Sequence, residues 1–295
     1  MTASFFQQIT THGAAVNLSS RAKFRLTGAD RTRYLNGQVT NDMRQVKSDE
    51  SLYACVTDVK GRIAADVFVH AEGDSLLLDA EPDLRETLGM RLERYIVADD
   101  VELTDVTEEW QLWHVRGGAD APARMDNVHC AQDCPHHILH SSRYGAEGLD
   151  IWLPASADAP TFESLLILSE ADLETWRILQ KIPRWPHELN TETFPPEADL
   201  EARAMNFTKG CYIGQEVLSR IKTTGKMPRE MIAFESDVAV NEGDELWIEK
   251  ALGKVTSVTK HPTTGQTIGL AMIRQGTPHQ ELRVGGSSGP MLYHF

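Results

Sequence analysis

The order of apolar and polar positions separates the chain into a helical opening, a run of strands and a second helical stretch. Asp30 stands where a cap is expected before a helix carrying Tyr34, Leu35 and Val39. Ser51 to Val56 reads as a strand and Lys60-Gly61 as a turn. Ile63 to Ala71 then pairs with Ser75 to Ala80 across Gly73-Asp74, a Gly-X type II′ hairpin signal. Pro82 suits a first helical position, Leu84, Leu88, Leu92 and Tyr95 recur at helical spacing, and Val101, Leu103 and Val106 resume a strand. Tyr144 to Pro154 is a turn running into a strand. Thr161 to Gln180 predicts two helical runs, the second opened by a capping box at Ser169-x-x-Asp172 ahead of Leu173, Trp176 and Leu179 and stopped by Pro183 and Pro186.

Beyond an extended connector at Thr193 to Ala198, Ile213, Val217, Leu218 and Ile221 fall at i, i+4, i+5 and i+8, the spacing of a short amphipathic helix. After Gly225 and Pro228 the texture changes again. Met231 to Phe234, Glu245 to Glu249, Gly253 to Lys260, Thr267 to Ile273 and Glu281 to Val284 are short strands with frequent turns, which predicts a small antiparallel barrel.

Composition narrows the class without choosing a function. At 295 residues, with 41% hydrophobic and 24% charged positions, this is a soluble globular chain large enough for two or more cores. A net charge of −14 argues against a general nucleic-acid binder, and an anionic ligand would need a local basic pocket. Cys55, Cys130, Cys134 and Cys211 are too few and too scattered for a disulfide framework, which points to a reducing compartment. The first twenty residues have the marks of neither a signal nor a transit peptide, and no stretch approaches the roughly 20 apolar residues of a membrane span, so the expected location is the cytoplasm.

The densest chemistry lies at Lys209 to Glu216, KGCYIGQE, followed by Val217-Leu218-Ser219-Arg220. Two glycines free the backbone around one thiol. Lys209 and the start of the following helix would both favour the thiolate of Cys211. An ordinary buried cysteine in a glycine-rich turn is the plainer reading. A second cluster, His129, Cys130, Cys134, His136, His137 and His140, has ligand types and spacings found in zinc sites, but Cys134 and His136 stand too close together for the chain to wrap an ion, and we expect no metal there. Gly285-Gly286-Ser287-Ser288-Gly289 matches a hydrolase string, yet it lies in the barrel tail with only His294 downstream.

KGCYIGQE resembles the signature of the YgfZ family, folate-binding proteins related to the glycine-cleavage T-protein (aminomethyltransferase) and implicated in iron–sulfur cluster assembly or repair. The blocks LNGQVTND, KGRIAADV and RLERYIVADDVEL resemble, in order, the first T-protein-like domain, so that the likeness extends over most of the chain. It implies an α+β fold of three domains in a ring, with residues 1–115 the first domain, 116–227 the second and 228–295 the barrel. It implies tetrahydrofolate as ligand, with Arg143, Gly148 and Asp150 mapped onto the folate pocket, Asp150 replacing a more usual glutamate. A carboxylate there can accept paired N–H donors from a pterin edge. Cys211 would act as a thiolate carrying a sulfur or one-carbon group, with Lys209 assisting. Tyr212, Gln215, Glu216 and Arg220 would help hold the ligand or position the motif. The chain departs from its relatives after the second helix. Where they show Arg-x-Glu-Ala-Gly it has Arg177 and Ile178 followed by Leu179, Gln180 and Lys181, which moves the expectation from aminomethyl transfer towards cluster maintenance. Iron–sulfur assembly or client proteins are the expected partners, with no nucleic acid and no membrane. A folate-dependent aminomethyl- or methyltransferase, for which Asp79 and Asp83 are the candidate carboxylates, and a non-catalytic folate-sensing scaffold are the alternatives.

Overall fold

The computed structural model describes residues 5–118, 128–129, 136–145, 147–162 and 165–294. In chain order these form α1 (Phe5–His12), β1 (Ala14–Asn17), β2 (Ala22–Thr27), α2 (Arg31–Gln38), β3 (Leu52–Thr57), β4 (Ile63–Glu72), β5 (Ser75–Ala80), α3 (Arg85–Glu93), β6 (Glu102–Asp105) and β7 (Trp110–Arg116). Next come β8 (Val128–His129), β9 (His137–Ser141), β10 (Gly148–Pro154), β11 (Thr161–Phe162), β12 (Leu166–Ile167), α4 (Glu170–Leu179), α5 (Glu201–Ala204) and α6 (Gln215–Thr224). The carboxy-terminal strands are β13 (Arg229–Ser236), β14 (Glu245–Trp247), β15 (Ala251–Lys260), β16 (Thr267–Arg274), β17 (Arg283–Val284) and β18 (Tyr293–His294).

Three larger sheets organise this α+β fold among the described residues, and β8 pairs separately with β11. The first, in the order β3-β4-β5-β2-β6, is antiparallel and carries α2 and α3, whose Leu35, Leu88 and Leu92, with Leu84 just ahead of α3, bury against Phe24, Val67 and Leu78. The Gly73-Asp74 hairpin forms as expected, pairing Glu72 with Ser75. The second sheet, β12-β1-β7-β10-β9, packs its Val16, Leu112 and Trp152 against Ile9 of α1 and Trp176 of α4. Its membership does not follow chain order, since β1 joins strands that lie beyond residue 110. The third sheet, β17-β14-β15-β16-β13-β18, is the antiparallel half-barrel foreseen from the turn spacing.

Two local expectations are corrected. Residues before Ser169 form no helix among the described positions: Leu166 and Ile167 pair in parallel with Ala14 and Ala15, so four consecutive apolar residues from Leu165 extend a sheet edge instead of completing a helical face. Asp30 does stand at the start of α2, but its carboxylate accepts from the Asp100 backbone N–H and from Arg33, tying α2 to the loop before β6 rather than capping the helix. The capping box at Ser169 and Asp172 forms in full.

Candidate active site and its buried ion chain

A cavity of about 360 Å³ opens between the first two sheets, α4 and the loop at 182–184. Residues of one strand parity build its wall. Asp66 and Phe68, two apart on β4, share a face. Phe68 lies directly opposite Tyr53 of β3, so the rings stack at 4.4 Å and 25°. The Tyr53 hydroxyl donates to Asp66 Oδ2 at 3.0 Å. Leu168 and Leu173 supply apolar lining elsewhere.

Behind this wall runs a chain of buried charges. Arg21 Nε donates to Asp79 at 2.5 Å. Asp79 in turn accepts from Arg143 Nη1 and Nη2 at 2.9 and 2.5 Å. Arg143 Nε reaches both oxygens of Asp150 at 2.9 and 2.8 Å, and Asp150 Oδ1 meets His114 Nδ1 at 2.8 Å. All of these side chains are buried. Burial alone would raise the Asp150 carboxyl; the Arg143 charge and the His114 contact outweigh it and hold the group well below the usual carboxylate range. Asp79 is lowered in the same way, its burial overcome by Arg143 and Arg21. Asp66 is the contrast: burial pushes it up to about 6 against the opposing charge of Arg21.

Asp66 and Arg21 both line the cavity, and one polar atom of each, Asp66 Oδ1 and Arg21 Nη2, is buried without a partner among the described residues. One is an acceptor and the other a donor. Sequence reasoning missed both. The usable signal was an aspartate at core parity in IAADVFVH, a polar residue in a strand otherwise buried at those positions. Of the two carboxylates singled out there, Asp79 is locked into the ion chain and Asp83 is exposed.

The structure brings Arg143 and Asp150 together, with Arg143 lining the cavity and Asp150 behind it. KGCYIGQE lies elsewhere: none of Lys209, Cys211, Tyr212, Gln215, Glu216 or Arg220 is among the cavity-lining residues. Its loop is pinned to the first sheet. Ile213 N–H donates to Gly37 O, and Thr57 Oγ1 donates to Ile213 O at 2.5 Å. Lys209, which burial lowers to about 8, directs Nζ to the carbonyls of Asn36, Val39 and Asn41 at 2.6–2.7 Å. Its three donors therefore anchor the loop to the end of α2. Tyr212 is buried with its ring 5.0 Å from Nζ, whereas Cys211, Glu216 and Arg220 are exposed and Gln215 opens α6. The expected helix after the motif is thus present, with Cys211 just ahead of it. Of the histidine and cysteine cluster, Cys130 and Cys134 lie outside the described residues; His137 contacts Glu72 at 3.0 Å.

Comparison with known proteins agrees with this architecture. Residues 3–141 match the GCVT N-terminal domain family and residues 229–287 the glycine cleavage T-protein C-terminal barrel domain family. The tRNA-modifying protein YgfZ of Aliivibrio fischeri (strain MJ11) is 26% identical over 246 residues, covering 80% of this chain and 76% of the relative. The YgfZ protein of Escherichia fergusonii is 29% identical over 222 residues, with 70% and 67% covered. An aminomethyltransferase of Rubrobacter xylanophilus is 25% identical over 291 residues, with 90% and 77% covered. Among solved structures, the glycine cleavage system aminomethyltransferase T from Bartonella henselae superposes with a TM-score of 0.80 over 99% of this chain and 87% of that one; at 14% identity the likeness is one of fold. With the T-protein domains at both ends and YgfZ proteins among its relatives, the chain belongs to the YgfZ family, related to the glycine-cleavage T-protein.

Proposed function

We propose that the chain binds tetrahydrofolate in the cavity lined by Tyr53 and Phe68 and, in the cytoplasm, supports assembly or repair of iron–sulfur clusters through Cys211. The observation that carries the ligand assignment is the unpaired couple Asp66 Oδ1 and Arg21 Nη2 beside an aromatic wall. A planar ring with an adjacent N–H and C=O, such as the pterin edge, would satisfy both, and an unsatisfied buried group otherwise costs about 1–3 kcal/mol. The volume suits a small heterocycle with its tail towards the mouth. Asp150, the carboxylate first assigned to that edge, supports it from behind through Arg143.

Cys211 is exposed and stands apart from the cavity lining, which fits a thiol working on a partner protein. Glu216 and Arg220, exposed on the helix that follows it, would meet the same partner. The YgfZ relatives are named as tRNA-modifying proteins. For this chain the net charge of −14 favours a protein partner over direct RNA contact, and retention of the protein on immobilised tRNA at physiological salt would count against that.

Two measurements test the proposal. Calorimetric titration should show tetrahydrofolate binding to the wild type and a loss of about tenfold in affinity for Asp66→Asn; no heat with the wild type removes the folate assignment. In a deletion strain, Cys211→Ser should fail to restore iron–sulfur enzyme activity; full restoration leaves the motif a packing role. A second reading, folate-dependent one-carbon transfer, is favoured by one feature: Asp66, at about 6, is a carboxyl poised for proton transfer inside the cavity. Turnover of tetrahydrofolate with a methylamine donor, absent in Asp66→Asn, would establish it.

A further inference from the structure

Four side chains form a column along the cavity wall. The Arg143 guanidinium carbon sits 3.9 Å from the Phe68 ring centroid, Phe68 stacks on Tyr53 at 4.4 Å, and Arg203 covers the other face of the pair with its guanidinium carbon 5.6 Å from the Tyr53 centroid. Both ends are tied. Arg203 Nη2 donates to the backbone carbonyls of Ser142 and Arg143 at 3.2 and 3.1 Å, so the far end of the column is fastened to the residue that begins it. At the near end Asp79 holds one edge of Arg143 and Asp150 the other, and the fork of five N–H donors is fixed in one plane.

His114 completes the arrangement from behind. Its Nδ1 lies 2.8 Å from Asp150, and its ring meets Tyr144, a cavity residue, edge-on at 5.4 Å. A Cβ at Gly148 would stand 2.8 Å from His114 Cε1, so this glycine keeps the space that the imidazole occupies. Neither His114 nor Asp150 lines the cavity. A buried ion chain of this kind adds little net stability over an apolar packing of equal volume, because each charge is desolvated. What it supplies is orientation: a guanidinium that cannot tilt is a flat backing for Phe68.

We infer that Asp150 and His114 are positioning residues of the cavity, holding Arg143 flat against Phe68 and so fixing the edge that the Phe68–Tyr53 pair presents to a ligand. The assignment rests on the folate reading for its ligand, and wild-type titration decides that reading first. The test is a double-mutant cycle read by calorimetry with tetrahydrofolate. Asp150→Asn should weaken binding about tenfold in the wild type and less than about twofold in a Phe68→Leu background, since its effect travels through that ring. Equal factors in both backgrounds, or no change in the wild type, overturn the assignment. If Asp150→Asn does not fold, His114→Phe replaces it, keeping the ring against Tyr144 while removing Nδ1. It should give about a threefold loss that again vanishes with Phe68→Leu. A ligand-free readout separates this proposal from the folate one: with ¹³C-labelled phenylalanine, the Phe68 ring should flip faster in Asp150→Asn, or in His114→Phe, than in the wild type. An unchanged flip rate sinks the positioning role whatever the ligand is.

Discussion

At the scale of single residues, two ionisable groups show how burial and partners decide a role that chain position cannot. Lys209 is separated from the motif's thiol only by Gly210, and that nearness suggested activation; three carbonyls at and just beyond the end of α2 instead take all its donors. Asp66 looked like an ordinary strand residue, because a two-residue period does not reveal which buried position faces a void. Its consequence is measurable. The folded carboxyl titrates at about 6 against an ordinary value of 3.8, so the folded state favours the protonated form. Any stability tied to that preference is fully present below about pH 4 and is lost as pH rises through 6. At 1.36 kcal/mol per unit the loss is up to about 3 kcal/mol. Asp66→Asn, which cannot ionise, should therefore unfold at higher urea than the wild type at pH 7.5. The two proteins should converge at pH 4, and a gap independent of pH would contradict the assignment.

At the scale of elements, the legible features were those with local causes: the Gly73-Asp74 hairpin, the capping box of α4, the apolar stripe of α6. What escaped had a partner distant in the chain. Leu165 to Leu168 carry no helical alternation of their own, and only β1, some 150 residues earlier, makes them a strand edge. The glycines of KGCYIGQE are instructive because the sequence announced freedom and the structure shows a constraint. Gly214 has φ +88°, and a Cβ there would lie 2.5 Å from Asp58 O and 2.8 Å from Gly61 Cα. Two glycines thus let the turn after β3 and the start of α6 touch backbone to backbone. Gly214→Ala should destabilise the protein by about 2 kcal/mol or more in denaturant titration, whereas the same change at Gly210, with open space around it, should stay near zero.

At the scale of the whole molecule, the half-barrel contributes no cavity-lining residue among the described residues, yet it reaches the cavity through Arg177, which donates from Nη2 directly to Ser257 Oγ at 2.5 Å and is also joined to the barrel by one carboxylate. A register shift between Val255 and Ser257 on β15 turns the hydroxyls of Thr256 and Ser257 to the same oxygen of Glu188, each at 2.6 Å. Glu188 Oε2 in turn accepts from Arg177, which lines the cavity from α4, at 3.1 Å. This connection was invisible in the sequence, where Arg177 registered only as part of a departure from a family pattern. Glu188→Ala should cost about 2–3 kcal/mol by thermal unfolding, at the low end for a broken buried pair because Glu174 still holds Arg177. It should weaken tetrahydrofolate binding as well, although the altered residue is outside the cavity.

The placement of β1 has a consequence for how the protein is made. Residues 14–17 pair with residues 113–116 on one side and with 166–167 on the other. A ribosome releases that strand first, long before either neighbour exists. The second sheet therefore stays incomplete until β12 has been made, while the first sheet, whose strands all lie between residues 22 and 105, can close earlier. The amino-terminal segment waits first for β7 and then for β12, and a cut between residues 105 and 110 would not yield two self-sufficient halves, because the second would lack the strand that joins β7 to β12.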